Sequence, residues 1–66
     1  MIVNGKEYSL ESTGAKSIED LIRFFQLDPQ AVAVEKNGEI PDRATWKSSI
    51  LTEQDRIELI KFVGGG

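Results

Sequence analysis

Two Asn-Gly pairs, Asn4-Gly5 and Asn37-Gly38, limit the folds open to this chain more than any other feature. A tight two-residue hairpin turn demands positive φ at both central positions, and Asn and Gly both tolerate it. The first pair joins Met1-Ile2-Val3 to Lys6-Glu7-Tyr8-Ser9-Leu10, two β-prone runs, and so predicts an opening hairpin. Tyr8 and Leu10 alternate with Glu7 and Ser9, which gives the second strand one buried face. The second pair ends a strand from Ala31 to Lys36 with Val32 and Val34 on one side. It turns that strand into the short segment Glu39-Ile40, which Pro41 terminates.

Between the hairpins, Glu11 to Lys16 reads as a loop and Ser17 as the N-cap of a helix. Glu19 and Asp20 place negative charge on the first turn, where the helix dipole favours it. Ile18, Leu21, Ile22 and Phe25 follow the spacing of one buried helical face, and Asp28-Pro29 is the predicted stop. Residues 42–55 are polar and irregular apart from Trp46, Ile50 and Leu51, and Arg56 to Val63 forms the last strand. The order β-β-α-β-β-β predicts an α+β fold of the β-grasp (ubiquitin-like) layout, a mixed sheet of four to five strands packed on one main helix. Residues 1–63 are the expected domain and 64–66 a flexible glycine tail.

Chemistry is scarce along this chain. With neither Cys nor His, it lacks the usual nucleophiles, general bases and soft metal ligands. The scattered Asp and Glu lack the spacing of a calcium loop, so no metal is expected. Eight basic residues against 11 acidic ones, without a basic cluster, argue against nucleic acid and suit a partner with a basic surface. No apolar run approaches the length of a membrane span and no signal-peptide pattern opens the chain, so a cytoplasmic monomer is expected.

What remains is the ending, Phe62-Val63-Gly64-Gly65-Gly66. Three glycines reach about 10 Å when extended, and without Cβ atoms they let another backbone approach closely. A terminal carboxylate on Gly66 could thus be carried into a partner's active site. The plainer reading is a frayed terminus. If Ile57 and Leu59 point into the core, Ile60 and Phe62 point outward beside the tail. With Val63 they form a candidate docking patch, although exposed apolar residues are common and Phe62 could instead fold over an edge of the core. Lys61 could guide the tail or simply be solvated. Trp46 reads as a lid over the 42–55 segment, and Asp55 as a turn residue.

The full pattern resembles the ThiS family of thiamine-pathway sulfur carriers. The resemblance rests on Asn4-Gly5, the helix, Val34-Glu35-Lys36-Asn37-Gly38-Glu39-Ile40, Arg43, Trp46, Asp55-Arg56-Ile57-Glu58 and Val63-Gly64-Gly65-Gly66. It implies that an E1-like adenylyltransferase (ThiF type) uses ATP to activate the Gly66 carboxylate. Sulfur from a donor such as a cysteine desulfurase then displaces AMP. The resulting thiocarboxylate supplies a thiazole synthase (ThiG type) with the sulfur of the thiazole ring. The carrier is then a co-substrate and not an enzyme. It binds no cofactor itself, since Gly64-Gly65-Gly66 has neither the lysine nor the following helix of a phosphate-binding loop. Alternatives that share the adenylation step are a carrier for molybdopterin or another cofactor, and a ubiquitin-like protein modifier. A noncovalent β-grasp binding module is a further one.

Overall fold

The computed structural model describes residues 1–62. Strand β1 (Ile2–Val3) turns through Asn4 and Gly5 into β2 (Lys6–Glu7). Both turn residues have positive φ, 52° and 81°, as the dipeptide predicts. Strand β2 is shorter than expected, because Ser9 leaves the sheet to cap a four-residue helix, α1 (Leu10–Thr13). The Ser9 hydroxyl accepts the Ser12 amide at 2.9 Å, and Gly14 closes the other end at φ 68°. The expected loop at 11–16 therefore begins as a helical turn, and Leu10 packs from that turn instead of from a strand.

Helix α2 (Ile18–Phe24) starts where the sequence places it. Ser17 accepts the Asp20 amide at 3.2 Å, and the Asp20 carboxylate reaches back to the amides of Ser17 and Lys16. This reciprocal capping box satisfies donors that the first turn would otherwise leave unpaired. The helix stops earlier than Asp28-Pro29. Gln26 adopts φ 57°, and the Leu27 amide donates to Ile22 O at 3.0 Å, a Schellman-type end that draws Leu27 onto the core. Asp28 caps a separate 3-10 turn, Pro29–Ala31, that leads into β3 (Val32–Lys36).

Asn37 and Gly38 repeat the positive-φ turn, but Glu39 makes only an isolated bridge to Lys36, and Ile40 is 79% exposed. Among the described residues the sheet therefore has four strands, completed by β4 (Arg56–Lys61) in the order β2-β1-β4-β3. Strands β1 and β4 run parallel while the other neighbours are antiparallel, so the sheet is mixed. One face carries Val3, Val32, Val34, Ile57 and Leu59 against Ile18, Leu21 and Ile22 of α2, with Met1, Ala15, Trp46 and Leu51 completing the core. This is the α+β, β-grasp arrangement. Among the described residues, no helix is long and apolar enough to cross a membrane.

Candidate functional site

The candidate site is the helix-free face of the sheet, where β4 leads toward the glycines. Strand alternation places Ile57 and Leu59 in the core, and Glu58, Ile60 and Phe62 on the opposite side. Ile60 is 51% and Phe62 55% exposed, so Phe62 does not fold over the core. Ile60 stands opposite Ala33, and the Phe62 amide donates to Ala31 O at 2.8 Å, which fixes the end of β4 against the chain entering β3. Small alanines opposite both side chains leave the larger ones open to a partner. Val63, Gly64, Gly65 and Gly66 lie outside the described residues.

Two residues back from Ile60, on the same face, Glu58 stands opposite Glu35. Like charges directly opposite on neighbouring strands are mildly destabilising. The face thus passes from an acidic pair to an apolar patch in the direction of the chain ending. Such a surface matches a partner that is apolar at its centre and basic at its rim.

The start of β4 is held by a buried polar hub that the sequence disguised as a turn. The Asp55 carboxylate accepts the Thr52 amide at 2.8 Å and the Asn37 side-chain amide at 3.0 Å, with the Lys36 ammonium 3.8 Å away. Asn37 Oδ1 in turn accepts the Arg56 amide at 2.8 Å. Burial pushes the Asp55 pKa upward, but the hydrogen bonds from Asn37 and Thr52 and the Lys36 charge outweigh it, leaving the carboxyl below its ordinary 3.8. At the other end of the strand, the Asn4 side chain accepts the Leu59 amide at 2.7 Å and donates to Leu59 O at 3.2 Å. Each Asn-Gly turn therefore sends its asparagine onto β4, and the two together set how that strand presents Ile60 and Phe62. Their turn role was legible in the dipeptide; the clamp was not, because it depends on a strand far away in sequence.

Trp46 is buried as a lid, with its Nε1 lacking a hydrogen-bond partner among the described residues. The Arg43 guanidinium stacks on it 4.5 Å from the ring centroid and donates to the carbonyls of Pro29 and Val32. These two residues tie the 42–55 segment to the β3 edge; they lie away from the Ile60–Phe62 patch. Among the described residues, no group of three or more acidic side chains could hold a metal.

The comparisons agree with this architecture. The model of the ThiS family matches residues 1–66. The chain is 38% identical to the sulfur carrier protein ThiS of Bacillus subtilis, over 97% of this chain and 96% of that protein. It is 34% identical to a thiazole synthase of Magnetococcus marinus over 97% of this chain, spanning only 19% of that longer protein. In three dimensions it is similar to the crystal structure of the thiamine biosynthesis protein ThiS from Geobacter metallireducens. The TM-score is 0.78 at 27% identity, and the match covers 98% of this chain and 96% of the other. With a family match along its whole length and a four-stranded sheet packed on helix α2, this chain belongs to the ThiS family.

Proposed function

We propose that the protein is a sulfur carrier for thiamine biosynthesis, with its sulfur held on the Gly66 carboxylate. The observation that carries this reading is the near full-length likeness to the Bacillus subtilis sulfur carrier. The chemistry supports it. A carboxylate is a poor acyl electrophile, so an E1-like adenylyltransferase couples it to ATP, forming an acyl-adenylate and releasing pyrophosphate. The terminal sulfur of a cysteine persulfide, on a donor such as a cysteine desulfurase, attacks the acyl carbon and displaces AMP. A thiol reductant then cleaves the acyl disulfide, so that the terminal group becomes a thiocarboxylate. Thiazole synthase withdraws that sulfur, and the carrier regains its carboxylate. Without Cys, the chain offers no competing thiol to divert the activated acyl group. In this reading the carrier is a co-substrate, Gly64, Gly65 and Gly66 thread into each enzyme, and Ile60, Phe62 and Val63 dock beside them.

The test is accurate mass of the fragment Phe62–Gly66 after incubation with adenylating enzyme, ATP and a sulfur source. A sulfur-for-oxygen shift on that fragment supports the carrier. No shift, with the enzyme shown to be active, overturns it. The fragment is needed because oxidation of Met1 gives nearly the same mass change on the intact protein.

A further inference from the structure

Strand β4 extends beyond the strand beside it. Its pairing with β1 ends at Val3 opposite Ile57, whereas its pairing with β3 continues to Lys61. The main-chain bonds Asn37 N–H to Arg56 O and Phe62 N–H to Ala31 O fix which residues of β4 bond to β3. By alternation these are 56, 58, 60 and 62, so the amides and carbonyls of Ile57, Leu59 and Lys61 point toward β1. Ile57 O accepts the Asn4 amide at 2.9 Å, and the Asn4 side chain takes both groups of Leu59. Lys61 is next in that series, and no described residue reaches its N–H or C=O from the β1 side. Beside it opens a notch of ≈ 170 Å³ between Asn4 on one side and Leu59 and Lys61 on the other, lined also by Tyr8, Phe25 and Leu27. A short open backbone edge over an apolar pocket is the arrangement that receives an added strand: main-chain bonds hold it and the pocket selects a side chain.

We propose that this notch receives an extended segment of thiazole synthase, laid along Lys61 where β1 leaves off, with one aliphatic side chain entering the pocket. The inference rests on the carrier reading above. Two observations select this occupant. Thiazole synthases of Magnetococcus marinus and Paramagnetospirillum magneticum contain stretches similar to this chain that make up 19% and 20% of their lengths, so a stretch of this kind shares one polypeptide with the rest of the synthase there. The notch also flanks the strand that leads to Gly66, which a sulfur-accepting enzyme must pass to reach the terminus. Lys61 borders the notch and the Lys6 ammonium lies 5.8 Å from the centroid of the Tyr8 ring, so the incoming segment carries a carboxylate beside its aliphatic residue.

Amide hydrogen exchange read residue by residue on the full chain, free and with thiazole synthase, tests the proposal. The Lys61 amide exchanges freely in the isolated carrier and slows at least tenfold in the complex, while the Leu59 amide, already bonded to Asn4, changes less. Lys61→Pro, which lacks that amide, binds the synthase at least tenfold more weakly. Should that variant misfold, the exchange result on the unaltered chain decides. Sulfur loading of Gly66 is measured on the same material. Normal loading and a stable complex with an unprotected Lys61 amide overturn the notch and leave the carrier standing. Neither loading nor complex overturns both. Protection that rises with carrier concentration alone assigns the notch to a second copy and overturns the proposal.

Discussion

Asn4 and Leu59 are 55 positions apart, yet one side-chain amide of the first occupies both main-chain groups of the second. The amide does the work of a further strand residue at a point where β1 has already turned away. Asn4→Gly separates this clamp from the turn, since glycine keeps the positive φ freely. The variant should lose about 1–2 kcal/mol, the worth of its hydrogen bonds, in urea unfolding. An unchanged midpoint would mean that water replaces the amide at no cost.

Asp55 gives the fold an acid limit. Its folded pKa lies below the ordinary 3.8, so its contribution is complete above that value and fades as pH falls through the lowered one. The melting temperature of the native chain should fall below about pH 4, where free carboxyls protonate. Asp55→Asn should be destabilised by about 1–3 kcal/mol at neutral pH, because the amide keeps one acceptor oxygen but turns an NH2 donor toward a donor on the other side, and Lys36 loses its opposite charge. It should also show a flatter acid limb. Parallel pH curves for the two proteins would assign the acid response to other carboxylates.

Arg43 holds the irregular 42–55 segment by three contacts at once: two carbonyls and the Trp46 ring. Lysine keeps the charge but has neither the fork nor the flat face. Arg43→Lys is expected to cost about 1–2 kcal/mol, measured by chemical unfolding, with sulfur loading retained in the folded protein.

Ile60 and Phe62 are exposed on the helix-free face and contribute little to the core. Ile60→Asp and Phe62→Asp should each change stability by less than about 0.5 kcal/mol. Binding to the adenylating enzyme or to the synthase should fall roughly tenfold, as for an apolar interface residue of moderate weight. Calorimetric titrations showing unchanged affinity for both enzymes would remove the docking patch.

Glu35→Lys offers a sign test of the acidic pair. Replacing a repulsive cross-strand neighbour of Glu58 with an attractive one should raise stability by about 0.2–1 kcal/mol. If the partner surface is basic, the same variant should bind it more weakly. A variant at once more stable and better bound would refute the charge argument.

How much was legible follows from how locally each feature is determined. The two Asn-Gly turns, the Ser17 cap and the buried faces of β3 and β4 are written in short windows, and the structure has them; of the face expected on α2, Ile18, Leu21 and Ile22 are buried, while Phe25 caps the helix and is half-buried. Helix α1 was missed because four residues carry no helical period, although Ser9 and Gly14 mark both its ends. Gln26 ends α2 in a conformation that its residue type does not announce, so Asp28-Pro29 took the credit. Asp55 looked like a turn residue because its partners Lys36 and Asn37 arrive from another strand. The outward Ile60 and Phe62 were readable from alternation alone, whereas the open edge at Lys61 was not. It depends on where β1 happens to stop.

The sheet order carries a consequence for how the molecule comes into being. β4, the last strand in sequence, lies between β1 and β3. Until residues 56–61 exist, the opening hairpin and the third strand have nothing to join them. A nascent chain emerges with its earlier strands unable to complete the sheet, because the long-range pairing that closes it comes last. The segment that seals the fold is also the one that leads toward Gly66. A copy interrupted before that strand would be left unfolded.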